Sequence, residues 1–263
     1  MNELPKQFFL SVSGVSTFQQ CKAKWYYRYV LGLPSPDSYY SAVGGFIHKI
    51  LEQFIINYQK SGDLRGAAQD ALNEANKDEQ FHNENVAPLM PGIIEESTQW
   101  IKALVKKWEQ DPTLIPKTLS VESSFTFPIP NTDITVRGLI DRVDELDDTT
   151  IKIVDYKTSG TSKYLKEFQL VTYSIALKEL YKDKIMKSAY VLIRHDFKEL
   201  EFEITEQKQQ DAIDCFVKVG AEINQLKQVS LDKVWDPTPS PLCSFCSYRL
   251  ECDHERFTTS WEA

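Results

Sequence analysis

No stretch of the sequence approaches the ~18 consecutive apolar residues of a transmembrane helix. Met1 to Val12 has neither a basic leading segment nor a long apolar core, which argues against a secretory signal. The expectation is a cytoplasmic protein with no membrane partner. Cysteine is scarce, with five in 263 residues: Cys21, Cys215, Cys243, Cys246 and Cys252. An odd count with three crowded near the C-terminus excludes a disulfide framework and reads as a metal site. The ten glycines form neither a Walker-type loop nor a dinucleotide fingerprint, so no nucleotide-driven motor is expected. Repeats and low-complexity runs are absent as well. So is an excess of basic residues: 30 Lys+Arg face 38 Asp+Glu, for a net charge of -8 and a pI near 5.2. That argues against coating nucleic acid by bulk charge. A local basic groove stays open, because residues 1–50 sum to +3 and 151–200 to +4 within the acidic whole.

What is present is an ordinary globular composition, 42% hydrophobic and 26% charged. Ser13 is placed to cap a helix reaching about Val30, with Phe18, Cys21, Trp25 and Tyr29 at helical spacing. A second helix reads over about 42–59, and residues 63–111 read as mostly helical with a break near Pro88 and Pro91. The pattern then changes to Val, Ile, Thr and Phe, giving strands at about 118–128, 134–146 and 150–157. A helix at 163–182, strands at 187–195 and 199–204, and a helix at 206–228 follow. This order predicts a mixed α/β core with helices on both faces. One domain is expected: N-terminal helices 1–60, a helical insertion 61–117, a core 118–230 and a cysteine-bearing tail 231–263.

Chemistry concentrates in Asp141, within Gly138–Asp144, and in Asp155-Tyr156-Lys157. Alternate side chains of a strand share a face, so Asp155 and Lys157 point together, and the preceding strand brings Asp141 alongside. Converging carboxylates repel each other unless a cation sits between them, and a hard divalent ion such as Mg²⁺ is the natural occupant. Lys157 could then orient or deprotonate an attacking water while the metal offsets charge developing on a phosphate. Taken alone, such a tripeptide is the solvated end of a strand. Its company changes the odds: His48, Glu122, and the helical pair Gln169 and Tyr173 four residues apart.

The runs VSGVSTFQQCKAKWYYRYVLGLP, AVGGFIHKILE, VRGLIDRVDEL, IVDYKTSG and FQLVTYSIAL, in this order, resemble the RecB-like branch of the PD-(D/E)XK nuclease superfamily. The resemblance covers about 10–60 and 120–205 plus the tail. It implies a restriction-endonuclease-like core, a central mixed sheet flanked by helices. By this resemblance His48, Asp141, Asp155 and the carbonyl of Tyr156 are metal ligands for Mg²⁺ or Mn²⁺. Lys157 is the catalytic lysine, Gln169 and Tyr173 position the site, and Glu122 supports the metal from the strand before. Asp155 stands where many relatives have Glu, and either carboxylate serves.

Cys243, Cys246 and Cys252 need a fourth ligand. His254 would complete a Cys₃His Zn²⁺ site, and Cys21 is the remote candidate. The resemblance favours Cys21 and a [4Fe–4S] cluster, as in the AddB nuclease subunit and the CRISPR adaptation nucleases, giving an iron–sulfur tail. Cys215 reads as a small buried hydrophobe. Trp25, Tyr29, Trp100 and Trp108 read as core, which leaves Lys22, Lys24 and Arg28 as phosphate-contacting candidates. The resulting expectation is a metal-dependent DNA exonuclease acting on single strands or DNA ends. Its settings would be recombination, repair, phage DNA processing or CRISPR adaptation, beside a helicase or an integrase. A non-catalytic DNA-binding scaffold of the same fold is the alternative.

Overall fold

The computed structural model describes residues 8–35, 38–163, 165–227, 235 and 237–252. The strands are β1 (Phe8–Leu10), β2 (Lys117–Pro128), β3 (Ile134–Asp147), β4 (Thr150–Lys157), β5 (Ile185–Leu192) and β6 (Lys198–Phe202). The helices are α1 (Val12–Gln20), α2 (Lys22–Tyr29), α3 (Tyr39–Ser61), α4 (Leu64–Lys77), α5 (Met90–Gln110), α6 (Phe168–Leu177) and α7 (Glu206–Lys227). They build one mixed sheet in the order β1-β3-β4-β5-β6, with β2 pairing β3. β1 runs parallel to β3 and β4 parallel to β5; the β3–β4 and β5–β6 pairs are antiparallel.

The described residues divide into two compact units: those within 1–36, 126–138 and 210–263 form one, and those within 37–125 and 139–209 form the other. In the larger unit, α3 starts at a capping box between Ser38 and Ser41 and stops at Gly62, whose φ of 70° suits a residue without Cβ. Its buried stripe of Val43, Phe46, Ile47, Ile50, Leu51, Phe54 and Ile55 packs with α4 and α5. Val154, Tyr156 and Val191 from the sheet belong to the same cluster. The segment read as an insertion is thus part of the wall behind β4. Trp108 is buried and stacks on Phe54. A second cluster joins Ile140, Val143, Ile151 and Ile153 of the sheet to Leu170, Tyr173 and Leu177 of α6.

Several boundaries differ from expectation, each for a local reason. Ser11, not Ser13, caps α1, because its hydroxyl accepts from Gly14 N at 3.1 Å. The single N-terminal helix is broken at Cys21, whose extended backbone lets the thiol accept from Lys24 N and cap α2. Tyr29, at the end of α2, is 39% exposed rather than core. α6 begins at Phe168, later than expected, because Ser159 and Thr161 tie their hydroxyls into local backbone bonds. β1 was not foreseen: three residues are too few to show an alternation.

Candidate active site

The register that pairs Arg142 with Val154 across β3 and β4 brings Asp141 beside Asp155. Asp141 and Asp155 are both buried carboxylates. Asp141 Oδ2 accepts the N–H of Tyr156 at 2.7 Å and lies 3.4 Å from His48 Nδ1. Glu122 Oε1 lies 3.9 Å from the same nitrogen. His48, Glu122 and Asp141 each offer a ligand atom within 4.8 Å of the others, and they line a pocket of about 410 Å³ with Gly44, Lys49 and Leu139. His48 Nε2 meets the carbonyl of Tyr156 at 3.1 Å. With the proton on Nε2 donated to that carbonyl, Nδ1 is free to ligate.

Asp155, Lys157, Gln169 and Tyr173 close a ring. Lys157 Nζ sits 2.5 Å from Asp155 Oδ2 and donates to Gln169 Oε1 at 2.9 Å. Gln169 Nε2 donates to Tyr173 Oη at 2.6 Å, and Tyr173 Oη reaches Asp155 Oδ1 at 3.4 Å. The 3.6-residue period of α6 puts Gln169 and Tyr173 on the face over β4. Asp155 Oδ2 is buried and faces the lysine as an ion pair, but at angles that make no hydrogen bond. The catalytic candidates thus form two groups bridged by Tyr156: a His/Glu/Asp cluster, and a lysine ring that holds Asp155.

The electrostatics show carboxylates crowded beyond what water would allow. Burial, then the charge of Asp141, pushes Glu122 up to about 7 and Asp155 up to about 6. Burial alone would lower His48, but its hydrogen bond to Asp141 and the nearby charges of Asp141, Asp155 and Glu122 raise it to about 9. Burial and the two aspartates push the Tyr173 phenol far up. One imidazole nitrogen and two clustered carboxylates, with the buried carboxylate of Asp155 beside them, suit a divalent cation such as Mg²⁺ or Mn²⁺. Binding must expel the protons these groups carry. Mn²⁺ affinity should therefore weaken roughly tenfold for each proton displaced per pH unit below neutrality. Calorimetric titration between pH 8 and pH 6 checks this, and a flat profile would contradict it.

Glu122 carries a signal that the sequence does not show. Its φ is 43°, in the left-handed region, inside strand β2. Non-glycine residues held there in a strand cluster at functional sites, where the surroundings impose them. The kink spends backbone energy to aim one carboxylate at His48. Glu122→Gly should leave the metal-free fold as stable or about 1 kcal/mol more stable, while Mn²⁺ binding weakens. Urea unfolding with and without Mn²⁺ measures both, and destabilisation of the metal-free protein would show that the side chain serves the fold instead.

The sequence reading also passed over a buried network beneath the site, Arg142–Asp144–Thr118. Its signal was charged residues at alternate positions of a strand otherwise facing core. Arg194 was missed as well: it ion-pairs with Glu96 at 2.8 Å, donates to the Thr158 carbonyl at 2.7 Å and lies over Trp100, which is half-buried.

In the smaller unit, Cys21, Cys243, Cys246 and Cys252 all line one cavity of about 340 Å³, and none of them is in a disulfide. Cys21 Sγ accepts from Lys24 N and Thr238 N, and Cys243 Sγ from Ser240 N. No three of these sulfurs come within 4.8 Å of one another. A single tetrahedral Zn²⁺ with 2.3 Å bonds needs them ~3.8 Å apart. His254 lies outside the described residues. Cys215 is only half-buried and accepts from Gln19 Nε2 at 3.3 Å. Of the phosphate candidates, Lys22 is ion-paired with Glu222, Arg28 lies over Tyr29, and Lys24 lines the cysteine cavity. Trp25 is core, stacked on Trp235.

Among the described residues, no helix is long and apolar enough to cross a membrane. Curated proteins similar to this chain include ATP-dependent helicase/deoxyribonuclease subunits B. That of Streptococcus agalactiae is 29% identical over 180 residues, covering 64% of this chain. That of Streptococcus uberis is 28% identical over 190 residues, covering 67%. This chain spans only 16% and 17% of their lengths. A candidate exonuclease from Eubacterium rectale superposes with a TM-score of 0.52 at 14% identity, covering 92% of this chain and 88% of that one, which shows a shared fold. The family model of the PD-(D/E)XK nuclease superfamily matches residues 9–253. With that match running through both groups of site residues, the chain belongs to the PD-(D/E)XK nuclease superfamily.

Proposed function

We propose that the protein is a divalent-metal-dependent deoxyribonuclease, an exonuclease working on single strands or DNA ends. The observation that carries this reading is the closed ring of Asp155, Lys157, Gln169 and Tyr173 beside the His48–Glu122–Asp141 cluster. His48 Nδ1, Glu122, Asp141 and Asp155, with the carbonyl of Tyr156, would hold the metal. When bound, the metal supplies Lewis-acid charge that stabilises the phosphorane-like transition state. Gln169 and Asp155 hold the Lys157 ammonium toward the pocket, where it orients the attacking water and offsets charge on the phosphate. Tyr173 locks Gln169 and Asp155 together, so the lysine has one preferred position. Water oxygen bonds to phosphorus as the opposite P–O ester bond breaks; the proton lost by the attacking water passes to solvent, and the leaving oxygen takes up a proton from solvent.

The DNA preference, and a helicase as partner in recombination or repair, are supported by the names of the curated relatives. Gly44 and Gly45 of α3 line the same pocket as His48, Glu122 and Asp141. Time-resolved digestion of 5′- and 3′-labelled single- and double-stranded DNA, with circular controls, tests the reading. Release of mononucleotides or short products from ends, and sparing of circles, is expected. DNA binding without metal-dependent cleavage would instead make it a scaffold.

We further propose that Cys21, Cys243, Cys246 and Cys252, which line one cavity, hold a [4Fe–4S] cluster. A cluster places several metals between the thiolates, so it tolerates wider sulfur spacing than one Zn²⁺, and N–H donors aimed at the sulfurs suit it. Its role would be structural, tying the tail to the break between α1 and α2. Anaerobically purified protein should be brown and hold about four irons per chain, and Cys21→Ser should lose most of them. Colourless protein with stoichiometric zinc would overturn the cluster.

A further inference from the structure

We propose that Arg142 and Asp144 are a buried positioning pair that sets the backbone of Tyr156 for metal binding and cleavage, a role that rests on the nuclease reading above. Arg142 is 6% and Asp144 1% exposed. Arg142 meets Asp144 Oδ2 through Nε and Nη2, each at 3.0 Å, a two-pronged grip. Thr118 donates to the other oxygen, Oδ1, at 2.8 Å. Arg142 Nη1 donates to the Tyr156 phenol, and the guanidinium lies 5.2 Å from that ring's centre.

Tyr156 is therefore held at both ends. Its phenol is fixed by the arginine, and its backbone N–H and C=O face Asp141 and His48. Arg142 and the Tyr156 ring line a cavity of about 230 Å³ with Trp108, Phe197 and Glu199. Arg142 takes no part in lining the pocket of about 410 Å³ that holds His48, Glu122 and Asp141. The pair acts through Tyr156, not on substrate. A buried ion pair rarely stabilises a fold more than apolar residues of the same volume would. A fully satisfied one does rigidify its neighbours. Here it pins one residue whose backbone touches two metal-site side chains.

The test is the double substitution Arg142→Met with Asp144→Asn, followed by Mn²⁺ calorimetry, by kcat and KM on labelled single-stranded DNA, and by thermal unfolding. Neutralising both partners strands no buried charge, so the variant is expected to fold. Mn²⁺ affinity should drop about 10- to 100-fold. kcat should fall about a hundredfold, with KM for DNA unchanged. A folded double variant with wild-type Mn²⁺ affinity and kcat overturns the proposal and leaves the nuclease reading standing. So does a loss of activity that merely tracks the folded fraction. Should the double variant fail to fold, Arg142→Lys keeps the charge and removes the fork; the same losses support the proposal and wild-type values overturn it. If the wild type cleaves no DNA, the nuclease reading fails, and the Mn²⁺ titration alone decides the positioning role.

Discussion

Lys157→Ala should slow DNA cleavage by about 10²–10⁴-fold while leaving Mn²⁺ binding intact or tighter. The lysine is the one cation in the ring that also holds Asp155, Gln169 and Tyr173. On the proposed mechanism, removing it takes away the group that orients water and offsets phosphate charge. It also removes the positive neighbour of Asp155 Oδ2, so the vacated site is more negative and attracts a divalent cation more strongly. A general loss of folding would lower binding and rate together, so opposite movement of the two separates catalysis from structure. Gln169→Ala should show a weaker form of the same split, because the lysine keeps Asp155 but loses its second anchor. Mn²⁺ titration alongside single-turnover cleavage measures both quantities.

Asp141→Asn should remove metal-dependent cleavage, a loss of about 10³-fold or more, yet leave the metal-free protein at least as stable as the wild type. Asp141 is the hub of the carboxylate crowding: it raises Glu122, Asp155 and His48 together. Asparagine retains an oxygen to accept the Tyr156 N–H but carries no charge. Glu122 and Asp155 stay raised by burial but lose the second cause, the Asp141 charge, and the repulsion among the carboxylates is reduced. Thermal unfolding with and without Mn²⁺ reads the result. In the wild type Mn²⁺ should raise the melting temperature by mass action; in Asp141→Asn it should do little. Destabilisation of the metal-free variant would mean that Asp141 serves the fold through its Tyr156 hydrogen bond instead.

These predictions rest on residues that were visible in the sequence, because strand alternation is a strict rule. The β2, β3 and β4 boundaries fell within one residue of expectation, at Lys117–Pro128, Ile134–Asp147 and Thr150–Lys157. Once those strands are placed, Asp155 and Lys157 share a face, and the hairpin register carries Asp141 to them. The helical spacing of Gln169 and Tyr173 was equally legible. What stayed hidden depends on choices that no period encodes. The left-handed backbone of Glu122 is a local kink that tertiary contacts impose on an ordinary strand residue. Arg142 and Asp144 carry charge into a buried strand, and only the structure shows Arg142 bonded to the Tyr156 phenol and sharing a cavity with Trp108. Cys21 looked like a mid-helix residue, and only the bond from Lys24 N shows it ending one helix and starting another. The break matters, because an extended backbone there leaves the thiol facing the cavity lined by Cys243, Cys246 and Cys252.

The most direct measurement is cleavage of end-labelled single-stranded DNA by anaerobically purified protein, wild type against Lys157→Ala, with Mn²⁺ and with EDTA. The wild type should degrade DNA with Mn²⁺ and stop with EDTA, and the variant should bind Mn²⁺ yet leave the DNA essentially intact. Equal degradation by both proteins, or none by a wild type that binds Mn²⁺, would contradict the assignment of this site as a nuclease centre.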